Sequence, residues 1–213
     1  MRVGAVVQAR MSSSRLPGKV LAPVAGRPLL ALLLERLALC PGLDAVVVAT
    51  SSEASDDVLA DWCADAGVAA HRGPLDDVAG RMLGAASSRG LDGLVRVCAD
   101  SPLIDPALVG RAVALLRAGD HDLVSNVVPP RTYPPGQSVE AMRAAALEAA
   151  RALMDQPGDR EHVAPALYRH PGRFRIAALR ADPPCPDLRL VVDTADDLDA
   201  LRELVARMDR PQA

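Results

Sequence analysis

Lysine is almost absent from this 213-residue chain: 24 residues are basic, and Lys19 is the only lysine among them. Glutamate is scarce as well, with 6 against 21 aspartates. The aromatic residues are limited to Trp62, Tyr133, Tyr168 and Phe174, so Ala, Leu and Val must fill any core. An Ala/Arg/Asp-rich composition fits a GC-rich coding bias, yet position 19 has kept its lysine. No apolar run reaches the ~20 residues that a membrane-spanning helix requires. The longest, from Pro28 to Leu34, is cut by Glu35 and Arg36. The first ten residues hold too short an apolar stretch for a secretory signal. Cys40, Cys63, Cys98 and Cys185 lie far apart, with no C-x-x-C pair and no histidine at metal-binding spacing. Free, buried or half-buried thiols in a reducing cytoplasm are the expectation. The four histidines make no H-E-x-x-H pattern, which argues against zinc. A formal charge of −3 gives no overall pull toward nucleic acid or a membrane surface.

What is present is an alternation of short β-branched runs with Ala/Leu-rich stretches, the pattern of an α/β sheet. Strands are predicted at 3–8, 45–50, 94–98, 122–125 and 188–192. Helices are predicted at 28–40, 55–67, 76–89 and 106–119, with Pro28 in a first turn and Asp105 capping before Pro106. A last helix begins with the cap-like Thr194-Ala-Asp-Asp197 and runs to about Met208. The length suits a single domain over residues 1–213. Residues 127–137 break the rhythm with Pro129-Pro130, Pro134-Pro135 and Gly136, which exclude a regular helix. A linker, a dimerisation arm and a lid over a substrate are the competing readings of this Pro-rich segment near 127–140.

The chemistry concentrates behind the first strand, in Gln8-Ala-Arg-Met-Ser-Ser-Ser-Arg-Leu-Pro-Gly-Lys19. Loops at the carboxyl ends of strands in open α/β sheets are the usual ligand sites. Ala9, Arg10, Ser12, Ser13, Ser14, Arg15 and Lys19 combine guanidinium forks, an ammonium, hydroxyls and backbone amides, which is what a polyphosphate needs. The alternative is a solvated basic loop without a ligand. It is not a phosphate-binding G-x-x-x-x-G-K-[ST] loop, because Val20 follows Lys19 and Ser13 replaces the earlier glycine. Asp100 and Asp193, each predicted just beyond a strand, have the hard oxygens that Mg²⁺ prefers, although each also fits an ordinary turn or helix cap. Asp77 and Arg81 match a surface i,i+4 pair, with base reading as the other role. Arg96 interrupts an apolar strand and requires a partner. His162 is expected to open a helix.

The loop resembles the A-R-x-x-S-x-R-L-P-G-K signature of sugar-acid cytidylyltransferases, a family that includes CMP-Kdo synthetases, acylneuraminate cytidylyltransferases and a spore-coat polysaccharide branch. Four further segments are similar to that branch and follow in its order: 72–81, 95–104, 160–162 and 192–198. The resemblance implies a three-layer, Rossmann-like nucleotide-diphospho-sugar transferase fold with a mixed sheet flanked by helices. It implies transfer of CMP from CTP to a small acidic acceptor, with release of pyrophosphate, in surface glycan synthesis. Arg10, Lys19 and Asp100 would be catalytic, and Mg²⁺ would sit on Asp100 and Asp193. Ala9, Ser12, Ser13, Ser14, Arg15, Asp77, Arg81 and Arg96 would complete the nucleotide site. Tyr133, Gln137, Ser138, Glu140 and His162 would lie near the acceptor. A cytoplasmic homodimer joined through the Pro-rich arm is implied too. Relatives tend to read Gly-Leu-Asp-Val-Glu where this chain has Gly136-Gln137-Ser138-Val139-Glu140, which puts the acceptor's identity in question. A phosphonate acceptor, a sugar-nucleotide-using glycosyltransferase and an inactive nucleotide-binding homologue are the alternatives. The glycosyltransferase lacks support from a D-x-D motif at a strand end, and the near-complete loop with both aspartates argues against the inactive homologue.

Overall fold

The computed structural model describes residues 1–156 and 158–208. The first strand, β1 (Val3–Gln8), is buried along five of its six residues, as expected for a strand covered on both faces. A 3-10 turn at Lys19–Leu21 and a short hairpin, β2 (Pro23–Val24) with β3 (Arg27–Pro28), lead into α1 (Leu29–Ala38). Next come β4 (Ala45–Ser51), a 3-10 turn at Ala54–Asp56, α2 (Asp57–Asp65), β5 (Ala70–Gly73), α3 (Val78–Ser88), β6 (Gly93–Cys98) and α4 (Pro106–Ala118). The chain continues through β7 (Leu123–Ser125), β8 (Glu140–Arg143), α5 (Ala144–Arg151), α6 (Asp159–His162), α7 (Pro165–Arg169), β9 (Ile176–Ala178) and α8 (Ala195–Ala206). Among the described residues, no helix is long and apolar enough to cross a membrane.

Seven strands form one mixed sheet in the order β5-β4-β1-β6-β8-β7-β9. β1 pairs in parallel with β4 on one side and β6 on the other, so the loops leaving β1 and β6 part at a topological switch point. β8 is antiparallel to both β6 and β7. The two-residue period of β1 sends Val3, Ala5 and Val7 against Leu30, Leu33 and Leu37 of α1. Val6 faces the opposite layer, with Met82 of α3, Leu147 of α5 and Leu167 of α7. Each fully buried leucine contributes about 1.5–3 kcal/mol, so the scarcity of aromatics is offset by the number of aliphatics. A third cluster joins Leu29 and Leu32 of α1 to Val192 and to Leu198, Leu201 and Val205 of α8.

Several expectations need correction. Residues 188–192 form no strand. Leu190 N–H donates to Pro135 O (2.8 Å) and Val192 N–H to Asp100 O (2.8 Å), two separate loops that offer no continuous ladder. Pro28 pairs within the hairpin and precedes α1 rather than entering its first turn. His162 closes the short α6 instead of opening a helix. The strands β5, β8 and β9 were not anticipated, because Ala-His-Arg-Gly, Glu-Ala-Met-Arg and Ile-Ala-Ala carry little β-branched signal. The Pro-rich segment is irregular, as its prolines dictate. It is braced across its base by Asn126, whose Nδ2 donates to Gln137 O (2.6 Å) and whose Oδ1 accepts from Val139 N–H (2.8 Å).

Candidate active site

The loop after β1 is wound around one carbonyl. Met11 O accepts from Ser13 N–H (3.0 Å) and Gly18 N–H (2.9 Å), and the second bond requires Gly18 at a φ of 76°. Asp56 anchors the loop from the next βα connection. This carboxylate is wholly buried and accepts from Met11 N–H (2.7 Å), from Ser51 N–H (3.0 Å) and from the Ser51 hydroxyl. Burial alone would raise its pKa, but these hydrogen bonds hold it below the ordinary carboxylate range.

So fixed, the loop lines a cleft of about 180 Å³ with Ala9, Arg10, Ser13, Ser14, Arg15 and Lys19, opposite Asp100 and Asp193. Ser12 is exposed and lies outside this lining. Lys19 is buried, and its ammonium donates to Val192 O (2.7 Å), Asp193 Oδ1 (3.1 Å) and Asp100 Oδ2 (3.3 Å). Arg15 Nη2 reaches Asp193 Oδ1 at 2.7 Å, and Arg10 pairs with Glu161 at 3.3 Å. Every cation of the loop therefore faces a carboxylate.

The two readings of Asp193 separate here. The capping box of α8 is made by Thr194 and Asp197, so the Asp193 carboxylate is left free of the helix and points into the cleft. Arg189 Nη2 holds its Oδ2 at 2.9 Å. Burial would raise the Asp193 pKa; Lys19, Arg189 and Arg15 outweigh burial and lower it. Among the described residues, no three histidine, cysteine, aspartate or glutamate side chains converge as a metal site. A divalent ion on Asp100 and Asp193 would thus need oxygens from a phosphate or water to complete its shell. The donor set fits such an ion, because the two carboxylates and the Val192 carbonyl already surround a positive charge.

A second cavity, of about 330 Å³, adjoins the first through Cys98 and Asp100. Arg96, Arg131, Gly136, Ser138 and Glu140 line it. Arg96 has its partners: Nη1 donates to Glu140 Oε2 (2.8 Å) and Nη2 to Gln8 Oε1 (3.2 Å). The Tyr168 hydroxyl donates to Glu140 Oε1 at 2.6 Å. Burial, then Glu140, raises the pKa of that phenol, which keeps it an O–H donor. Arg131 is held by Tyr133 O (2.8 Å), Pro134 O (3.1 Å) and Ser138 Oγ (2.8 Å). It has no carboxylate within ion-pair distance among the described residues. Gln137 faces away from the cavity. Its amide bridges Asp105 N–H and Leu103 O, so it ties the segment to the turn before α4. Tyr133 packs on the core, with its hydroxyl at Arg180 O, and does not line the cavity.

A third hollow, of about 420 Å³, lies beyond Arg10 and is bordered by Leu75, Asp76, Arg160 and Glu161. Exposed His162 is not part of its lining. The expected Asp77–Arg81 ion pair does not form. Asp77 caps α3 through Gly80 N–H (3.0 Å) and pairs with Arg151 at 2.6 Å and Arg160 at 3.6 Å. Arg81 turns inward, and its Nη1 donates to the carbonyls of Pro74 (2.6 Å) and Leu75 (3.2 Å), fixing the loop that edges the hollow. Asp56, Glu161, Arg131, Tyr168 and Arg189 are site neighbours that the sequence did not single out. Of these, only Glu161 falls in a segment, 160–162, with a visible signal.

Residues 5–209 match the family model described as Cytidylyltransferase. The chain is 30% identical to the spore coat polysaccharide biosynthesis protein of Bacillus subtilis, over 97% of this chain and 88% of that one. A cytidylyltransferase structure from Leptospira borgpetersenii superposes with a TM-score of 0.94 at 30% identity, covering 100% of this chain and 90% of that one. A structure of CMP:2-keto-3-deoxy-manno-octonic acid synthetase complexed with CTP gives a TM-score of 0.74 at 19% identity, over 97% of this chain and 99% of that one.

Proposed function

This chain belongs to the cytidylyltransferase family, and from that premise we propose that it transfers CMP from CTP to a sugar acid or similar acidic acceptor in glycan synthesis. The carrying observation is the convergence of Arg10, Arg15, Lys19, Asp100 and Asp193 on one cleft that opens into a second cavity. Arg10, Arg15 and Lys19 bind the triphosphate, with the loop amides and the Ser13 and Ser14 hydroxyls beside them. The base lies in the third hollow, bordered by Leu75 and Asp76 on the loop that Arg81 fixes. The acceptor lies in the second cavity, where Arg131 meets its acid group and Ser138 and Glu140 meet its hydroxyls. Arg96 shapes that cavity rather than binding nucleotide.

An acceptor hydroxyl attacks the α-phosphorus in line and releases its proton to solvent; the bond to the bridging oxygen breaks and pyrophosphate leaves. The loop cations stabilise the charge that grows on the leaving group, so positioning and electrostatics supply the catalysis. Mg²⁺ on Asp100 and Asp193 would polarise the α-phosphate when bound. A homodimer that buries the 127–140 arm belongs to the same reading.

Pyrophosphate release, measured with CTP, Mg²⁺ and a panel of sugar acids, phosphonates and neutral sugars, tests this. Release is expected with an acid acceptor, and Arg15→Ala should raise KM for CTP by about tenfold or more. Absence of release with every acceptor, together with absence of CTP binding, overturns the reading.

A further inference from the structure

Lys19 occupies the very oxygens that a divalent cation would use. Its ammonium lies 3.1 Å from Asp193 Oδ1 and 3.3 Å from Asp100 Oδ2. Magnesium sits about 2.0–2.1 Å from its carboxylate oxygens. An ion placed between these two carboxylates would press against the ammonium, and two positive charges at that range repel strongly. Lysine and metal are therefore alternative occupants of one cradle.

We propose that Lys19 is a removable cation: it fills the Asp100–Asp193–Val192 cradle in the nucleotide-free protein, and an arriving triphosphate draws the ammonium onto its own oxygens and uncovers both carboxylates for a divalent cation. The inference rests on reading the cleft as the triphosphate site. The side chain suits the exchange, because an ammonium is a point charge on a flexible four-carbon stem. A guanidinium would grip the carboxylates through a planar fork. The other cations on Asp193 do not block the transfer. Arg15 is largely exposed and can follow the phosphates, whereas Arg189 holds the opposite oxygen, Oδ2. The exchange makes metal binding weak before nucleotide and strong after it, and the coupling is reciprocal.

The test reads Mn²⁺ binding to nucleotide-free protein by electron paramagnetic resonance, comparing the unaltered chain with Lys19→Met and Asp193→Asn. Lys19→Met is expected to bind Mn²⁺ about tenfold or more tightly than the unaltered chain, a size typical of coupled sites. Asp193→Asn should bind less. Equal or weaker Mn²⁺ binding by a folded Lys19→Met variant overturns the proposal. A second measurement needs no variant, because a chain with one lysine gives one side-chain signal when lysine is labelled with ¹³C at Cε. With EDTA present, CTP should shift that signal in step with calorimetric binding. An unmoved signal at saturation also overturns the exchange. If calorimetry detects no CTP binding at all, the proposed function fails, while the Mn²⁺ comparison still decides what Lys19 does.

Discussion

Asp56 shows what a single buried carboxylate contributes at the residue scale. Its oxygens satisfy two backbone N–H groups and a hydroxyl, and one of those groups, Met11 N–H, belongs to the loop after β1. Asp56→Ala should cost about 3 kcal/mol of stability, the size expected when hydrogen bonds to a buried charge are lost. It should also weaken CTP binding. Urea unfolding at constant m and calorimetry check the two effects. Lys19, Arg15 and Asp100 were readable in the sequence because charged residues beyond a strand have few other reasons to cluster. Asp56 was not, since it sits 45 residues from the N–H it accepts and looks no different from Asp57 beside it. Arg81 misled for the opposite reason. Helical spacing offered Asp77 as a partner, whereas two loop carbonyls claimed the side chain.

Among elements, α8 is the one on which the second carboxylate depends. Its capping box fixes the start of the helix and, through Asp193 N–H to Asp197 Oδ2 (2.9 Å), the backbone of the site. Thr194→Ala should destabilise the protein by about 1 kcal/mol, read from the unfolding midpoint. Burial opposes ionisation of Asp197, but the Asp193 N–H, Arg189 and Thr194 hold its pKa at about 2. Its unfolded value is about 3.9. The folded state thus binds its proton less readily, so the stabilisation is complete above about pH 4 and is lost as the pH falls toward 2. Asp197→Asn should flatten that acid limb in a stability–pH curve and leave the neutral plateau lowered. The box was legible from Thr194-Ala-Asp-Asp197 alone. The weak strands were not, because β8 and β9 are set by pairing with neighbours rather than by their own propensity.

Across the whole molecule, the central strand and its flanking helices were legible as alternating apolar runs, and the site followed from the loop that leaves β1. In the far half of the sheet β6 and β7 were legible as strands, but their order was not, since β8 inserts between them by antiparallel pairings that periodicity does not reveal. The charge pattern also acts globally. Lys19, Arg15 and Arg189 already neutralise Asp193, so its carboxylate does not depend on a metal to stay in place. EDTA should therefore move Tm by less than about 2 °C in nucleotide-free protein, whereas Mg²⁺ with saturating CTP should raise it by about 5–10 °C. Differential scanning fluorimetry distinguishes these outcomes.

The order of parts along the chain has one more consequence, for biosynthesis. Among the described residues every strand ends by Ala178, and Asp193 and α8 come afterwards. Synthesis from the N-terminus thus delivers the loop after β1 well before Asp193. A chain cut between Ala178 and Asp193 keeps the residues of these strands and the loop cations, but it lacks Asp193 and leaves Leu29 and Leu32 without their α8 cover. Truncation before α8 is therefore expected to leave Leu29 and Leu32 open to solvent and the chain prone to association through them.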